Sequence, residues 1–400
     1  MKDFIKKFIP SFVLYWYHWK MAFWAAVLYG FPSRKLKVIG ITGTNGKSTV
    51  AELTTKILQE AGFKVASLSS IKFKIGEKEW QNDLKMTMPG RFKIQKFLRQ
   101  AVSSGCKFAV LEVTSEGIKQ YRHKFINFEA AVFTNLSPEH IEAHHGFEKY
   151  REAKGKLFKI TKKIHIINID DENAKYFLQF PAKKKYTFGM NQGDINNKDI
   201  KLQLSLMGNF NIYNALAAIG VGLSQGISLE SCKRAVEKVK GIPGRMEEVI
   251  SQPFKVFVDY AFTPNALEKA YQAIKNNFQP KKMICVLGAC GGGRDKWKRQ
   301  VLGNLAAQYC DEIIVTNEDP YDENPMEIIA EVAKGTNGKA KKILDRKEAI
   351  KKSLSVAQAG DVVIITGKGC EPWIIEKGKK IPWDDREIVK EEMAKLKFDI

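Results

Sequence analysis

Residues 36–56, Leu-Lys-Val-Ile-Gly-Ile-Thr-Gly-Thr-Asn-Gly-Lys-Ser-Thr-Val-Ala-Glu-Leu-Thr-Thr-Lys, leave this chain few folds to choose from. An apolar run from Leu36 to Ile41 leads into a glycine turn, and a helical pattern begins near Lys47. A strand, a glycine loop and a helix N-terminus in that order make a cradle for phosphate. Gly43 and Gly46 let backbone N–H groups turn inward, the helix dipole adds partial positive charge, Lys47 reaches the outer phosphates and Ser48 can ligate Mg²⁺. The spacing departs by one residue from G-x-x-x-x-G-K-[ST], because position 41 is Ile and the preceding glycine is Gly40. A plain helix-capping turn is the alternative, and the strand-loop-helix context favours phosphate.

The alternation continues on both sides of the chain's middle. Phe108 to Val113 and Ala130 to Thr134 are short apolar runs ending in polar residues, with helical stretches near 91–104 and 147–160. A second alternating series begins near Lys255, with strands ending around Asp259, Leu287, Val315 and Ile365. The break falls near Gly241-Ile-Pro-Gly-Arg245. The pattern predicts an α/β fold: a central P-loop-type domain with a mainly parallel sheet over 35–243, then a Rossmann-like α/β domain over 244–400. In such sheets active residues gather at strand C-terminal ends, where Glu112 and His140 fall, with Lys154 on the following helix.

Residues 1–34 form a separate segment. Lys2, Lys6 and Lys7 precede Pro10, and Ser11 to Phe31 holds nine aromatic residues in 21. Phe12, Tyr15, Trp16, Trp19, Phe23 and Val27 recur at helical spacing, with His18 on the far side and Lys20 on the flank. Those polar interruptions argue against a transmembrane span, and no cleavage site follows that would suit a signal peptide. Two readings stay open: an interfacial helix on the inner membrane face, or an apolar helix docked on its own protein or a partner.

A net charge of +21 favours anionic partners. The lysines are spread along the chain, Lys183-Lys184-Lys185 being the tight run, so dedicated nucleic-acid binding is not expected. The six cysteines, at 106, 232, 285, 290, 310 and 370, form no C-x-x-C pair and read as reduced thiols. Together with a nucleotide loop they suit a cytoplasmic catalytic body.

The separated motifs, in their order, resemble the Mur ligases, and among these the tripeptide synthetases of the MurE group. They are Gly43-Thr-Asn-Gly-Lys-Ser48, Thr87-Met-Pro89, Glu112-Val-Thr-Ser115, Thr134-Asn-Leu136, Gly208-Asn-Phe-Asn211, Pro243-Gly-Arg-Met-Glu247, Asp259-Tyr-Ala-Phe-Thr-Pro264, Gly291-Gly-Gly-Arg-Asp-Lys296, Asp345-Arg346 and Gly367-Lys-Gly-Cys-Glu371. The resemblance implies an ATP-dependent amide ligase of peptidoglycan precursor synthesis, working through an acyl phosphate. It would add the third amino acid to a muramoyl-L-Ala-D-Glu acceptor. Gly43, Thr44, Asn45, Gly46, Lys47, Ser48, Thr49, Asn211, Asn214, Arg245 and Asp259 would bind ATP. Ser48, Glu112, His140 and a carbamylated Lys154 would hold Mg²⁺ at two sites, with Lys47, Glu112, His140 and Lys154 as the catalytic set. Thr87, Thr114, Gln120 and Arg122 would contact the acceptor, and Glu318, Asp319, Tyr321, Gly367 and Glu371 the incoming free amino acid. An unmodified Lys154 on phosphate is the alternative to the carbamate. A monomer is expected.

Three departures from that pattern matter. The domain with which MurE enzymes grip the uridine nucleotide has no counterpart here, and the aromatic segment stands in its place. The amino-acid-selecting Asp-Asn-Pro-Arg reads Glu318-Asp-Pro-Tyr321, which removes the arginine fork for a distal carboxylate and favours a diamino acid without one. Phe262 and Cys370 stand where histidines are common, which implies retuned contacts. The alternatives are the same chemistry on a lipid-linked or poly-γ-glutamate-type acceptor, or a non-catalytic ATP-binding scaffold tethered to a membrane.

Overall fold

The computed structural model describes residues 11–84 and 86–396. They form two units. The first comprises the described residues up to Leu136, Phe147–Leu204 and Asn211–Val239; the second comprises Ser137–Gly146, Ser205–Phe210 and the described residues from Lys240 onward. The expectations for Lys2, Lys6 and Lys7 fall outside the described residues.

The first unit contains, in chain order, α1 (Ser11–Leu28), β1 (Lys37–Thr42), α2 (Lys47–Glu60), β2 (Val65–Leu68), β3 (Lys72–Ile75), β4 (Lys78–Gln81), α3 (Arg91–Ser103), β5 (Phe108–Glu112), β6 (Phe128–Phe133), α4 (Phe147–Ile160), β7 (Ile164–Asn168), β8 (Lys184–Gly189), β9 (Ile195–Asn196) and α6 (Leu229–Glu237), with α5 (Asn209–Ser224) entering it at Asn211. The strand order is β4-β3-β2-β5-β1-β6-β7-β8-β9, parallel except for the pairs of β3 with β2 and β4. Central β1 is buried on both faces, which is why Val38, Ile39 and Ile41 read as an unbroken apolar run. Gly40 is required by packing: a Cβ there would stand 2.9 Å from the Phe128 ring and 3.1 Å from Leu157. It is therefore a strand residue, which accounts for the one-residue departure of the phosphate-loop spacing. On α3, Ile94, Phe97, Leu98 and Ala101 are buried at helical spacing and pack on this sheet's core.

The aromatic helix α1 packs against α3, and its small side chains Ala22, Ala25 and Ala26 are buried. Tyr15 meets the Tyr121 ring at 6.1 Å, and Trp19 and Phe23 meet Phe125 at 5.4 and 5.5 Å. His18 lies on this inner face, hydrogen-bonded to the Arg91 guanidinium, and not on the far side as the periodicity suggested. A helix that is apolar all round gives no moment to fix its rotation, so its polar residue marks the docked face through a specific partner.

The second unit is a six-stranded sheet in the order β10-β11-β15-β12-β13-β14, parallel but for the edge pair of β10 with β11. Its elements are β10 (Glu247–Ile250), β11 (Lys255–Asp259), α7 (Pro264–Phe278), β12 (Met283–Leu287), α8 (Lys298–Tyr309), β13 (Glu312–Thr316), α9 (Pro325–Lys334), β14 (Ala340–Ile343), α10 (Arg346–Val356), β15 (Val362–Thr366) and α11 (Asp385–Lys395), with a hairpin β16 (Trp373–Glu376) and β17 (Lys379–Pro382) before α11. Separate apolar clusters fill the two faces of this sheet. Buried Arg346 ties the strand ends together: it donates to both Asp385 oxygens (2.8 and 2.7 Å), to Thr366 O (2.8 Å) and to Asn317 O (3.2 Å).

Candidate active site

In the first unit the loop between β1 and α2 is drawn together by two lysines. Lys47 Nζ donates to Gly43 O (3.1 Å) and Thr44 O (2.8 Å), and Lys154 Nζ, from α4, donates to the same Gly43 O at 2.7 Å. The Lys154 side chain is buried, and its ammonium lies 4.6 Å from the Tyr150 ring one turn earlier. Tyr150 OH in turn lies 3.1 Å from Thr44 Oγ1. The loop's far side rests on the end of β6. Asn45 N donates to Asn135 Oδ1 (3.0 Å), Thr44 N donates to Asn135 O (2.8 Å), and Thr134 Oγ1 donates to Asn45 O (2.7 Å).

Ser48 and Glu112 meet through Ser70. Ser48 Oγ lies 2.7 Å from Ser70 Oγ, and Glu112 Oε1 accepts the Ser70 N–H at 2.8 Å. A serine hydroxyl and a carboxylate at the foot of a phosphate loop are hard oxygen donors, and this donor set fits Mg²⁺ shared with phosphate oxygens. Among the described residues no three His, Cys, Asp or Glu side chains cluster as a metal cage. On α5, Asn214 Nδ2 donates to Asn211 Oδ1 at 3.0 Å, and Asn214 Oδ1 faces Gly46.

Thr87, Thr114, Gln120 and Arg122 fall in one region of the same unit. Thr114 caps the helix Ser115–Lys119, accepting from Gly117 N. Arg122 donates to Gln120 Oε1 (2.7 Å) and to the carbonyl of Met88, the neighbour of Thr87. Arg91, which the sequence did not single out, donates from Nε to Gln120 O at 3.0 Å and so joins α1 to this region.

The second unit carries the remaining predicted residues. His140 sits in a left-handed conformation (φ 57°) before the turn Ile141–His144. Asp295 accepts the N–H groups of Ile141 and Glu142, both at 3.1 Å, and Glu142 Oε1 accepts Lys296 N at 3.0 Å. Asp259 ends β11 and accepts from Met246 N and Ala261 N, both at 2.7 Å. Its carboxyl is raised by burial, against the opposing pull of Arg245. Arg245 lies 4.3 Å from the Tyr260 ring. Phe262 receives the Lys298 ammonium at 4.9 Å, and Cys370 is buried.

An acidic pocket collects beside the end of β15. Lys368 Nζ donates to both Asp319 oxygens (3.0 Å each) and to Glu371 Oε2 (2.8 Å), and Tyr260 OH donates to Glu371 Oε1 (2.9 Å). Glu318 faces Gly367. Its Oε1 accepts from the Cys290 thiol at 2.9 Å, and its Oε2 is buried with no hydrogen-bond partner among the described residues. Burial raises the Glu318 carboxyl and the Cys290 thiol. Tyr321 adopts φ 54° and donates its N–H to Ile375 O at 3.0 Å; burial pushes its hydroxyl up to about 12. Asp319 and Glu371 thus share Lys368, and Glu318 lies beside them without a bond to that lysine.

Sequence reasoning missed Ser70, Tyr150, Lys368 and Cys290. Tyr150 carried a usable signal, since it precedes Lys154 by four residues on one helix face. Lys368 lies inside the Gly367–Glu371 motif, which assigns it no role, and nothing distinguishes Ser70 from the serines around it.

Comparison with known proteins identifies the family. Residues 41–222 match the Mur ligase middle domain, and residues 244–369 match the Mur ligase glutamate ligase domain. The chain is 34% identical over 417 residues to the UDP-N-acetylmuramyl-tripeptide synthetase of Roseiflexus sp. (strain RS-1), spanning 94% of this chain and 82% of that protein. It is 38% identical over 397 residues to the UDP-N-acetylmuramoyl-L-alanyl-D-glutamate--2,6-diaminopimelate ligase of Caldanaerobacter subterraneus subsp. tengcongensis, spanning 94% and 81%. A solved structure of a UDP-N-acetylmuramoyl-L-alanyl-D-glutamate--2,6-diaminopimelate ligase matches with a TM-score of 0.58 and 29% identity, over 90% of this chain and 78% of that one.

Proposed function

The chain belongs to the Mur ligase family, ATP-dependent ligases that need Mg²⁺, and we propose that it adds the third amino acid to a muramoyl-L-Ala-D-Glu acceptor. The observation that carries this reading is the pair Lys47 and Lys154 on one loop carbonyl, beside Ser48 and Glu112. A carboxylate has to approach a triphosphate, and that approach is opposed by charge. Lys47 offsets part of the repulsion, while the turned-in N–H groups of 43–49 hold the phosphates still. Mg²⁺, when bound, neutralises phosphate charge; Ser48 and Glu112 would hold it at one site, with His140 and Lys154 serving a second. Lys154 takes that role as a carbamate, a form in which its cation becomes an oxygen donor.

Asn211, Asn214, Arg245 and Asp259 contact the nucleotide in this reading, and Arg122 pairs with a carboxylate of the acceptor held also by Thr87, Thr114 and Gln120. The acceptor's γ-carboxylate oxygen attacks the terminal phosphorus, ADP leaves, and an acyl phosphate forms. The amine then attacks the acyl carbon, phosphate departs and the amine loses a proton. Glu318, Asp319 and Glu371, with one lysine among them, favour an amino acid bearing a distal ammonium, and position 321 is Tyr where the arginine fork for a distal carboxylate would stand. Work in the cytoplasm at the inner membrane face, through residues 1–34, belongs to the same proposal.

The test is phosphate release from ATP with UDP-N-acetylmuramoyl-L-alanyl-D-glutamate, screening lysine, ornithine and diaminopimelate, with mass spectrometry of the product. Turnover that depends on lysine or ornithine and disappears in Lys47→Ala supports the reading. Turnover with diaminopimelate alone overturns the amino-acid assignment. Silence with every amine, repeated with a lipid-linked acceptor, overturns the ligase.

A further inference from the structure

We propose that the outer face of α1 is a docking surface for an anionic lipid bilayer interface. It rests on the membrane-face part of the proposed function, for which it names the helix face and the lipid class, and it holds whichever acceptor or amino acid the ligase uses.

Val13, Trp16, Tyr17, Lys20, Trp24, Val27 and Leu28 recur every three or four residues, and each is exposed, Trp16 to 65%, Trp24 to 56% and Leu28 to 67%. They form one stripe opposite the face held by Ala22, Ala25 and Ala26. The helix cannot turn this stripe inward. Its other side is fixed by the Tyr15, Trp19 and Phe23 ring contacts and by His18 on Arg91. Nor is it a span: no helix among the described residues is long and apolar enough to cross a membrane. Tryptophan and tyrosine with a snorkelling lysine suit the headgroup boundary, and Lys20 Nζ already lies 4.0 Å from the Trp16 ring.

Charge identifies the occupant. No acidic residue occurs between Asp3 and Glu52, a stretch that contains Lys6, Lys7, Lys20, Arg34 and Lys35. The helix on which α1 rests, α3, also has no acidic residue and exposes Lys93, Lys96 and Arg99 beside Phe92. Each such cation near an anionic surface adds attraction that salt screens. A second copy of the chain fits less well, because Lys20 lies at the middle of the helix and would face its own mate across an antiparallel symmetric contact.

The experiment uses the full chain with vesicles of phosphatidylcholine alone and of phosphatidylcholine with phosphatidylglycerol. Cosedimentation and a blue shift of tryptophan emission are expected with the anionic vesicles. Binding should weaken as the Debye length shortens from about 30 Å at 0.01 M salt to about 8 Å at 0.15 M. The triple variant Trp16→Gln, Trp24→Gln, Leu28→Gln should bind them about tenfold or more weakly, with an unchanged melting temperature and unchanged ATP binding. No binding to anionic vesicles at low salt overturns the proposal. So does equal binding by the triple variant, or a dimer in solution that the triple variant dissolves without vesicle binding.

Discussion

Lys298 Nζ lies 2.8 Å from Glu139 Oε1, with both side chains buried and the second Glu139 oxygen unpartnered among the described residues. Glu139 precedes His140, so this pair fixes the backbone from which the histidine projects, with Asp295 holding the next two N–H groups. Removing one member of a buried ion pair strands the other charge at a cost of about 3–5 kcal/mol, whereas neutralising both costs far less. Lys298→Met is expected to lose that amount of stability in urea denaturation, and adding Glu139→Gln should recover most of it. In both variants the Mg²⁺ concentration for half-maximal ligation should rise, since the histidine's support is altered. Equal stability of the single and double variants would show that the pair is not coupled.

Gly46 and Gly62 separate backbone strain from a blocked nucleotide loop. Both have a left-handed φ, 83° and 81°, but a Cβ on Gly46 would stand 2.3 Å from Asn214 Oδ1 while one on Gly62 meets nothing within 4 Å. Gly62→Ala should therefore cost about 1–2 kcal/mol of stability, the usual cost of a left-handed non-glycine residue, and leave ATP binding alone. Gly46→Ala carries the same backbone cost and also displaces Asn214. Calorimetric ATP affinity is expected to fall by more than about tenfold, or 1.4 kcal/mol, in Gly46→Ala only.

These two sites mark what the sequence makes legible. The turn and strand around Gly46 are local, encoded by an apolar run, two glycines and a lysine within a dozen residues, and the structure has β1 ending and α2 beginning where the pattern puts them. The parallel sheets follow for the same reason, since strands buried on both faces read as unbroken apolar runs. What the sequence could not express is the partner that lies far away in the chain. Lys298 and Glu139 are 159 residues apart, and Lys368 reaches Asp319 across 49. The rotation of α1 was illegible for a different reason: with apolar residues on every side, its inner face is set by partners far along the chain, Arg91 for His18, Tyr121 for Tyr15 and Phe125 for Trp19 and Phe23.

Glu318 carries the amino-acid prediction. Asp319 and Glu371 share Lys368, whereas one oxygen of Glu318, without a partner among the described residues, is placed to receive an ammonium. Glu318→Gln should raise the KM for the amine substrate about 10- to 100-fold, the loss of a buried charge-assisted hydrogen bond, with a smaller change in the KM for ATP. Because burial raises this carboxyl above its ordinary value near 4.5, it protonates early as pH falls. The wild-type KM for the amine should therefore climb on acidification, and the glutamine variant should lack that climb. Identical pH profiles would remove Glu318 from amine recognition.

Acid sensitivity of the first unit should trace to His123. Its ring is 2% exposed, its Nδ1 has no partner among the described residues, and burial, helped by Lys124 and Lys156, holds its pKa down at about 3, against 6.5 for a free histidine. His165, whose Nε2 lies 2.8 Å from Thr161 O, is lowered by burial in the same sense. Above pH 6.5 both folded and unfolded His123 are neutral, and the group has no effect on stability. Below it the unfolded chain takes up a proton that the folded one refuses, so stability falls as pH drops from 6.5 toward 3 by at most about 1.4 kcal/mol per pH unit, on the order of 5 kcal/mol in all. His123→Asn starts less stable at pH 7 because ring packing is lost, yet its stability should decline less steeply with acid. Urea denaturation of both proteins at pH 7, 6 and 5 reads the two slopes, and parallel slopes would mean that the acid sensitivity lies elsewhere.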